Sequence, residues 1–287
     1  MSFVIITEAT CDLSHEQLTE NNVCCLPLGA TLGELSYKHY PDEREMSSKE
    51  FYTRLRAGEM PSTSAVNVAD WMEAMEKNLE QSREMLVVAF SSGLSSTYQN
   101  GCLAAEEVMD KHDCRIEVVD TLAASAGEGM LVLEAVRLRD EGKSLSEAAE
   151  ELKKLVPQTI QWFTVDDLHH LRRGGRVSAA TAVVGSALGI KPVLHVDEEG
   201  HLINMIKARG RKKSLLALRD ILAERITRPE GNVLISHGDC YEDARFLGDE
   251  ILKICPKANV IINMIGPIVG GHSGPGTVAM FFIGEGR

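Results

Sequence analysis

Short apolar runs alternate with amphipathic stretches along the first half of the chain. Residues 3–6, 23–28, 85–90, 116–119 and 159–165 are rich in β-branched and aliphatic residues and do not alternate in polarity. That pattern predicts strands buried on both faces, as in parallel sheets covered by helices. Helical periodicity fills the gaps at 68–81, 96–111 and 125–140. Ser47 with Glu50, and Ser144 with Glu147, have the spacing of capping boxes, and Gly58 and Pro157 are the corresponding stops. Strand–helix alternation of this kind predicts βαβ units and a parallel sheet.

The second half reads differently. Strands are expected at 193–196, 202–206, 233–236, 260–264 and 278–283. The first two flank Asp197-Glu198-Glu199-Gly200, an acidic turn ending in Gly, which predicts a hairpin and therefore a mixed sheet. A small-residue helix is expected after Ser178, with further helices at 214–228 and 241–254. The reading is an α/β chain of two domains: residues 1–165 with a mainly parallel sheet and flanking helices, and residues 166–287 with a mixed sheet carrying helices. Residues 258–284 contain no Asp, Glu, Lys or Arg, long enough to span a bilayer. Seven Gly or Pro residues interrupt that stretch and His272 sits inside it, so a strand, a glycine loop and a second strand are expected there rather than a span.

Composition narrows the classes. The chain has 287 residues, 44% of them hydrophobic, enough for a full core. Aromatics are only 5% and the net charge is -12, which disfavours base stacking and general nucleic-acid binding. The seven cysteines are odd in number and form no C-x-x-C pair. With no basic leader at the N-terminus, the expectation is a cytoplasmic protein without a disulfide framework, a metal or a cofactor.

Six segments could carry chemistry. Ser91-Ser92-Gly93-Leu94-Ser95-Ser96-Thr97 follows a buried strand and opens a helix, where backbone N–H groups and hydroxyls suit an anion, or merely cap the helix. Pro61-Ser62-Thr63-Ser64 is a second hydroxyl cluster before a helix led by Asn67, and alone reads as a capping segment. Thr7-Glu8-Ala9-Thr10-Cys11-Asp12-Leu13 is another strand end. In Leu171-Arg172-Arg173-Gly174-Gly175-Arg176-Val177-Ser178, Arg172 and Arg173 suit the end of a short helix begun by Asp166 and Asp167. Arg176 has no such structural reason. Lys207-Ala208-Arg209-Gly210-Arg211-Lys212-Lys213 packs five cations into seven residues of an acidic chain, either a solvated run or a site for an anion or acidic partner. Ile265-Gly266-Pro267-Ile268-Val269-Gly270-Gly271-His272-Ser273-Gly274-Pro275-Gly276 surrounds a histidine with glycines that let backbone approach a ligand.

In order and spacing these segments resemble the DegV family over nearly the whole chain. The strongest parts are the Ser91–Gln99 run, Phe163-Thr164-Val165 with Asp167-Leu168 and Gly174-Gly175-Arg176-Val177-Ser178, Ile190-Lys191-Pro192, and the Ile265–Gly276 segment. The resemblance implies a DegV-like fold that binds a long-chain fatty acid. It implies a carrier without its own nucleotide site, presenting the acid's carboxylate to a separate ATP-dependent fatty acid kinase for acyl-phosphate formation. It places the ligand at Thr63, Ser92, Gly93 and His272, and assigns engagement of the kinase and its phosphate to Arg173, Arg176 and Arg209. Partners then are the acid and the kinase, with no nucleic acid, no membrane span, and transient membrane contact left open. Thr7-Glu8-Ala9 departs from the family's usual Thr-Asp-Ser, and Thr63-Ser64-Ala65-Val66-Asn67 from Thr-Ser-Gln-Pro-Ser. An alternative from the residues themselves is a serine hydrolase using Ser92 and His272, with Asp12 or Asp120 as orienter. It requires a Ser–His contact, and no G-x-S-x-G elbow is present.

Overall fold

The computed structural model describes residues 3–166, 168–177 and 189–286. Asp167 and the helix expected after Ser178 lie outside the described residues. Four parallel strands form the first sheet: β1 (Val4–Glu8), β2 (Val23–Leu26), β6 (Glu84–Ala89) and β7 (Arg115–Asp120), in the order β2-β1-β6-β7. Every residue of β1 is buried, and all of β6 after Glu84, as their unalternating sequences require. β1 continues to β2 on one side and β6 to β7 on the other. The strand order therefore reverses between β1 and β6, and the crevice at their carboxyl ends is where sheets of this type bind ligands.

The second sheet is mixed. It runs β10 (Leu202–Arg209), β9 (Ile190–Val196), β8 (Thr159–Thr164), β13 (Val278–Ile283), β11 (Asn232–His237), β12 (Asn259–Met264). All neighbours are antiparallel except β11 and β12. The hairpin expected around 197–200 joins β9 to β10. Because β8 opens this sheet, the changeover between sheets precedes Thr159, earlier than a division at 165/166.

A third, antiparallel sheet is absent from the sequence reading. The single strand expected at 23–28 breaks at Pro27, which has no N–H to continue a ladder. The chain restarts as β3 (Leu28–Leu32), pairs with β4 (Leu35–His39) through Gly33 in the left-handed region, and accepts β5 (Pro61–Thr63) on its other edge. The hydroxyl cluster at 61–64 is thus largely a strand, not a cap.

Helices α1 (His15–Glu20), α2 (Ser48–Arg56), α3 (Val68–Asn78), α4 (Thr97–Lys111), α5 (Ala126–Asp140), α6 (Leu145–Leu155) and α7 (His169–Arg173) belong to the first 173 residues. Ser144 and Glu147 form a complete capping box on α6, whereas Ser47 caps α2 only by accepting the Glu50 N–H. Helix α8 (Arg211–Arg225) starts three residues before the expected Ser214. Ser214 instead lies buried in the first turn, its hydroxyl donating to the Arg211 carbonyl at 2.8 Å. Helix α9 (Tyr241–Ile254) matches its expected span. Residues 258–284 fold as β12, a short helix α10 (Pro267–Ser273) and β13; the expected glycine loop is a helix. Among the described residues no helix is long and apolar enough to cross a membrane.

Helix α5 is the pivot. It packs on β1 and β6 of the first sheet and on β8, β11 and β13 of the second. One core runs through it, joining Ile5 and Val88 to Phe163, Leu234 and Phe281. A carboxyl is trapped in that contact. Glu128, fully buried, lies 2.9 Å from the Thr7 hydroxyl and accepts a hydrogen bond from Thr10 at 3.0 Å. Thr7 Oγ1 is also 2.9 Å from the Val88 carbonyl, which can only accept. One hydroxyl proton cannot serve both, so Glu128 Oε1 supplies the other. Glu128 is therefore a neutral acid. Burial drives its pKa well up, and the charge of Glu8 pushes the same way. Glu8, at the end of β1, is likewise buried; its Oε1 accepts the Phe90 N–H at 2.8 Å, and burial raises its pKa to about 8.

A carboxyl whose folded pKa exceeds its unfolded value supports the fold below the unfolded pKa and loses that support as pH rises through the folded one. For Glu8 that window runs from 4.5 to about 8. Glu128→Gln keeps both hydrogen bonds and cannot ionise. It should stabilise the protein at about pH 8 by roughly 1–3 kcal/mol and leave it unchanged near pH 4. Thermal unfolding across that range checks this; parallel wild-type and variant curves would contradict it.

Candidate functional site

Helix α10 forms against the propensity of its own glycines. Pro267 suits the first helical position, and Gly274, in the left-handed region, ends the helix. Gly270 and Gly271 would each favour coil by about 1 kcal/mol. They are tolerated because other elements press on them: a Cβ at Gly270 would sit 2.3 Å from the Tyr52 hydroxyl, and one at Gly271 3.2 Å from Pro61. Close packing on α2 and β5 thus fixes the helix and turns its last residues towards β5.

There His272 Nε2 meets Thr63 Oγ1 at 2.9 Å. The other nitrogen, Nδ1, is buried without a hydrogen-bond partner among the described residues. It lies over Gly174, where a Cβ would stand only 2.3 Å away. Burial, aided by the positive charges of Arg176 and Arg173, pulls the His272 pKa down to about 4, so the ring is neutral at physiological pH. An orphaned N–H costs more than an orphaned lone pair, which puts the single proton on Nε2. Nε2–H then donates to Thr63, and the Thr63 hydroxyl proton is free to donate onward.

What it faces is a cavity of about 270 Å³ between the two large sheets and the small one. Its walls are mainly apolar, with Leu28, Phe90, Phe163, Leu171, Val196 and Phe281 among them. Thr63, His272, Ser273, Ser95 and Arg176 are among its polar lining. The half-buried Arg176 guanidinium donates to the carbonyls of Gly174 and Leu94, and burial lowers its pKa. An apolar chamber with hydroxyl donors and nearby positive charge can hold an amphiphile with an anionic end.

Ser92 and Gly93 do not line this cavity. The turn after β6 folds the backbone N–H groups of Leu94 and Ser95 back onto the Ser91 carbonyl, at 3.1 Å each. That turns Ser92 and Gly93 away: the Ser92 N–H donates to Asp120, and Gly93 packs against the Glu199 and Gly200 backbone of the β9–β10 turn. Leu94, Ser95, Ser96 and Thr97 reach the cavity instead. Ser92 and His272 are therefore not joined; among the described residues, the hydrogen-bond partner of His272 is Thr63. Nor do the expected orienters reach the imidazole. Asp120 accepts from the Ser92 and Leu122 backbone, and Asp12 from Ser125 and the Gly266 N–H. The geometry of a Ser92–His272 hydrolase is missing.

The expected partner-facing arginines are split. Arg176 is on the cavity wall. Arg173 lies beside it in sequence, with one nitrogen 3.1 Å from Met60 Sδ and another 3.5 Å from the Gly271 carbonyl. Arg209 is exposed on β10, away from the lining. Of the five clustered cations, Arg211 is structural: it pairs with Asp243 at 2.8 Å and donates to the Gly276 carbonyl at 2.6 Å. Sequence reasoning overlooked Ser95, Ser125, Gln161 and Ser273 on the wall. Gln161, a lone amide inside an otherwise apolar strand, carried the clearest signal.

The chain matches the DegV family model, described as an uncharacterised protein of that family, over residues 2–285. A DegV domain-containing protein of Clostridium perfringens is 41% identical over 285 residues, covering 99% of this chain and 98% of the relative. Among solved structures, a DegV family protein from Thermus thermophilus described by its fatty acid binding superimposes with a TM-score of 0.88 at 31% identity, covering 99% and 100% of the two chains. The fatty acid kinase B3 protein of Streptococcus pneumoniae, solved with linoleic acid, has a TM-score of 0.86 at 22% identity over 99% and 100% of the chains, a likeness of fold. Matched along its whole length by sequence and by architecture, the chain belongs to the DegV family.

Proposed function

We propose that this protein binds a long-chain fatty acid in the cavity between its sheets and presents the carboxylate to a separate ATP-dependent kinase for acyl-phosphate formation. The observation that carries the reading is the apolar chamber with a Thr63–His272 pair on its wall. Each methylene buried there contributes about 0.8 kcal/mol, so the tail supplies most of the affinity. The carboxylate needs only oriented donors, and the Thr63 hydroxyl, its oxygen already bonded to His272, is one. The fatty acid binding described for the Thermus thermophilus relative supports the same ligand class.

Phosphoryl transfer needs a site for nucleotide and metal. The sequence has no G-x-x-x-x-G-K-[ST] motif, and the reading assigns transfer to the partner. Arg176 on the wall, with Arg173 near it, adds positive charge where the phosphorylated head group would develop, and exposed Arg209 is available to an acidic partner surface. Ser92 and Gly93 act in this scheme by shaping the loop that brings Ser95 to the cavity.

Native mass spectrometry of the protein purified from a bacterial host should show a bound species of fatty-acid mass. An empty protein whose melting temperature ignores added palmitate or oleate would refute the reading. Thr63→Ala should weaken palmitate binding about tenfold, whereas Ser92→Ala should change it less than about threefold. The reverse order would place the head group at Ser92. Because His272 is already neutral, affinity should vary less than about threefold between pH 6 and 8. Arg209→Ala should spare lipid binding and cut phosphorylation by the kinase about tenfold or more. Loss of lipid binding in that variant would contradict the division of roles.

A further inference from the structure

We propose that Ser273 is a second head-group donor, so that the two carboxylate oxygens are held by two neutral hydroxyls, Thr63 and Ser273. The inference rests on the fatty-acid reading above. Ser273 is the last residue of α10, next to His272, and lines the same cavity. It is only 7% exposed, and its Oγ has no hydrogen-bond partner among the described residues. A buried hydroxyl left unpaired is destabilising and uncommon. Two other hydroxyls share that state, those of Tyr37 and Ser236, but neither is on the cavity wall.

The remaining hydroxyls of the wall are committed elsewhere. Thr10 donates to Glu128, Ser125 to Asp12, and Thr277 to the carbonyls of Ser273 and Gly274. Ser64 donates to the Gly29 carbonyl, and Ser95 and Thr97 bond to one another. Ser273 alone is fully buried at Oγ with its proton unspent. Its neighbour fixes the location: His272 is hydrogen-bonded to Thr63, so Ser273 Oγ opens at the same end of the cavity as the Thr63 hydroxyl. A carboxylate there satisfies Ser273, and Ser273 supplies the oxygen that Thr63 leaves free. Arg176 adds positive charge on the same wall while two of its N–H groups hold backbone carbonyls.

The test uses palmitate labelled with carbon-13 at the carboxyl carbon or at the terminal methyl, bound to the full chain and followed by NMR, with affinity measured alongside. Ser273→Ala should move the bound carboxyl resonance, leave the methyl resonance in place and weaken binding about tenfold. Ser273→Thr, which keeps the hydroxyl, should restore the wild-type carboxyl resonance. A carboxyl resonance indifferent to Ser273→Ala, carboxyl and methyl resonances that move together, or no restoration by Thr would overturn the assignment while leaving the fatty-acid reading standing. A wild-type protein with no bound resonance at all would overturn the fatty-acid reading itself.

Discussion

Helix α5 has a sheet on either side and little surface of its own. Strands β1 and β6 cover one face, and β8, β11 and β13 another. The core that holds the two large sheets together passes through it, so the relative placement of everything on those sheets depends on this contact. The same enclosure forbids charge. Glu128 sits where the helix meets β1, and only its protonated form completes the hydrogen bonds of Thr7 and Thr10. The fold therefore rests on an acid kept neutral by its surroundings, within one residue of the β1 end that opens into the cavity crevice.

From that frame the site is assembled by edges. The first sheet delivers the loop after β6, the second delivers α10 and the β8–β13 face, and the small third sheet delivers Thr63 at the end of β5. No one element contains two halves of the polar end. His272 is placed by close packing of glycines on Tyr52 and Pro61, and its protonation by burial beside two arginines. Packing sets position, and the low polarity of the surroundings sets the chemical state.

Sequence patterns made the large sheets legible because strands buried on both faces carry unbroken apolar runs, as in β1, β6 and β8. The small sheet was illegible for the opposite reason. Leu28–Leu32 and Leu35–His39 alternate and are half exposed, and β5 has three residues, one of them Pro61. Helix α10 hid behind its glycines, whose helix-breaking tendency is overridden only by contacts with distant residues. Thr63 and His272 could be singled out one at a time, with family resemblance supplying the link. Ser92 was favoured over Ser95 because a run of hydroxyls does not reveal which way its turn faces. Ser273 had no local signal beyond standing next to His272.

Thr63 and His272 stand 209 positions apart. A contact of that sequence span cannot exist in a chain that has folded only its first part, since β5 waits on the helix between β12 and β13. The polar end of the cavity is thus a product of the completed fold. Any molecule recognised there binds the native chain and not its partly folded forms, so occupancy shifts the balance towards the finished structure by mass action. A nascent chain still being synthesised is blind to its cargo; a finished one is tightened by it.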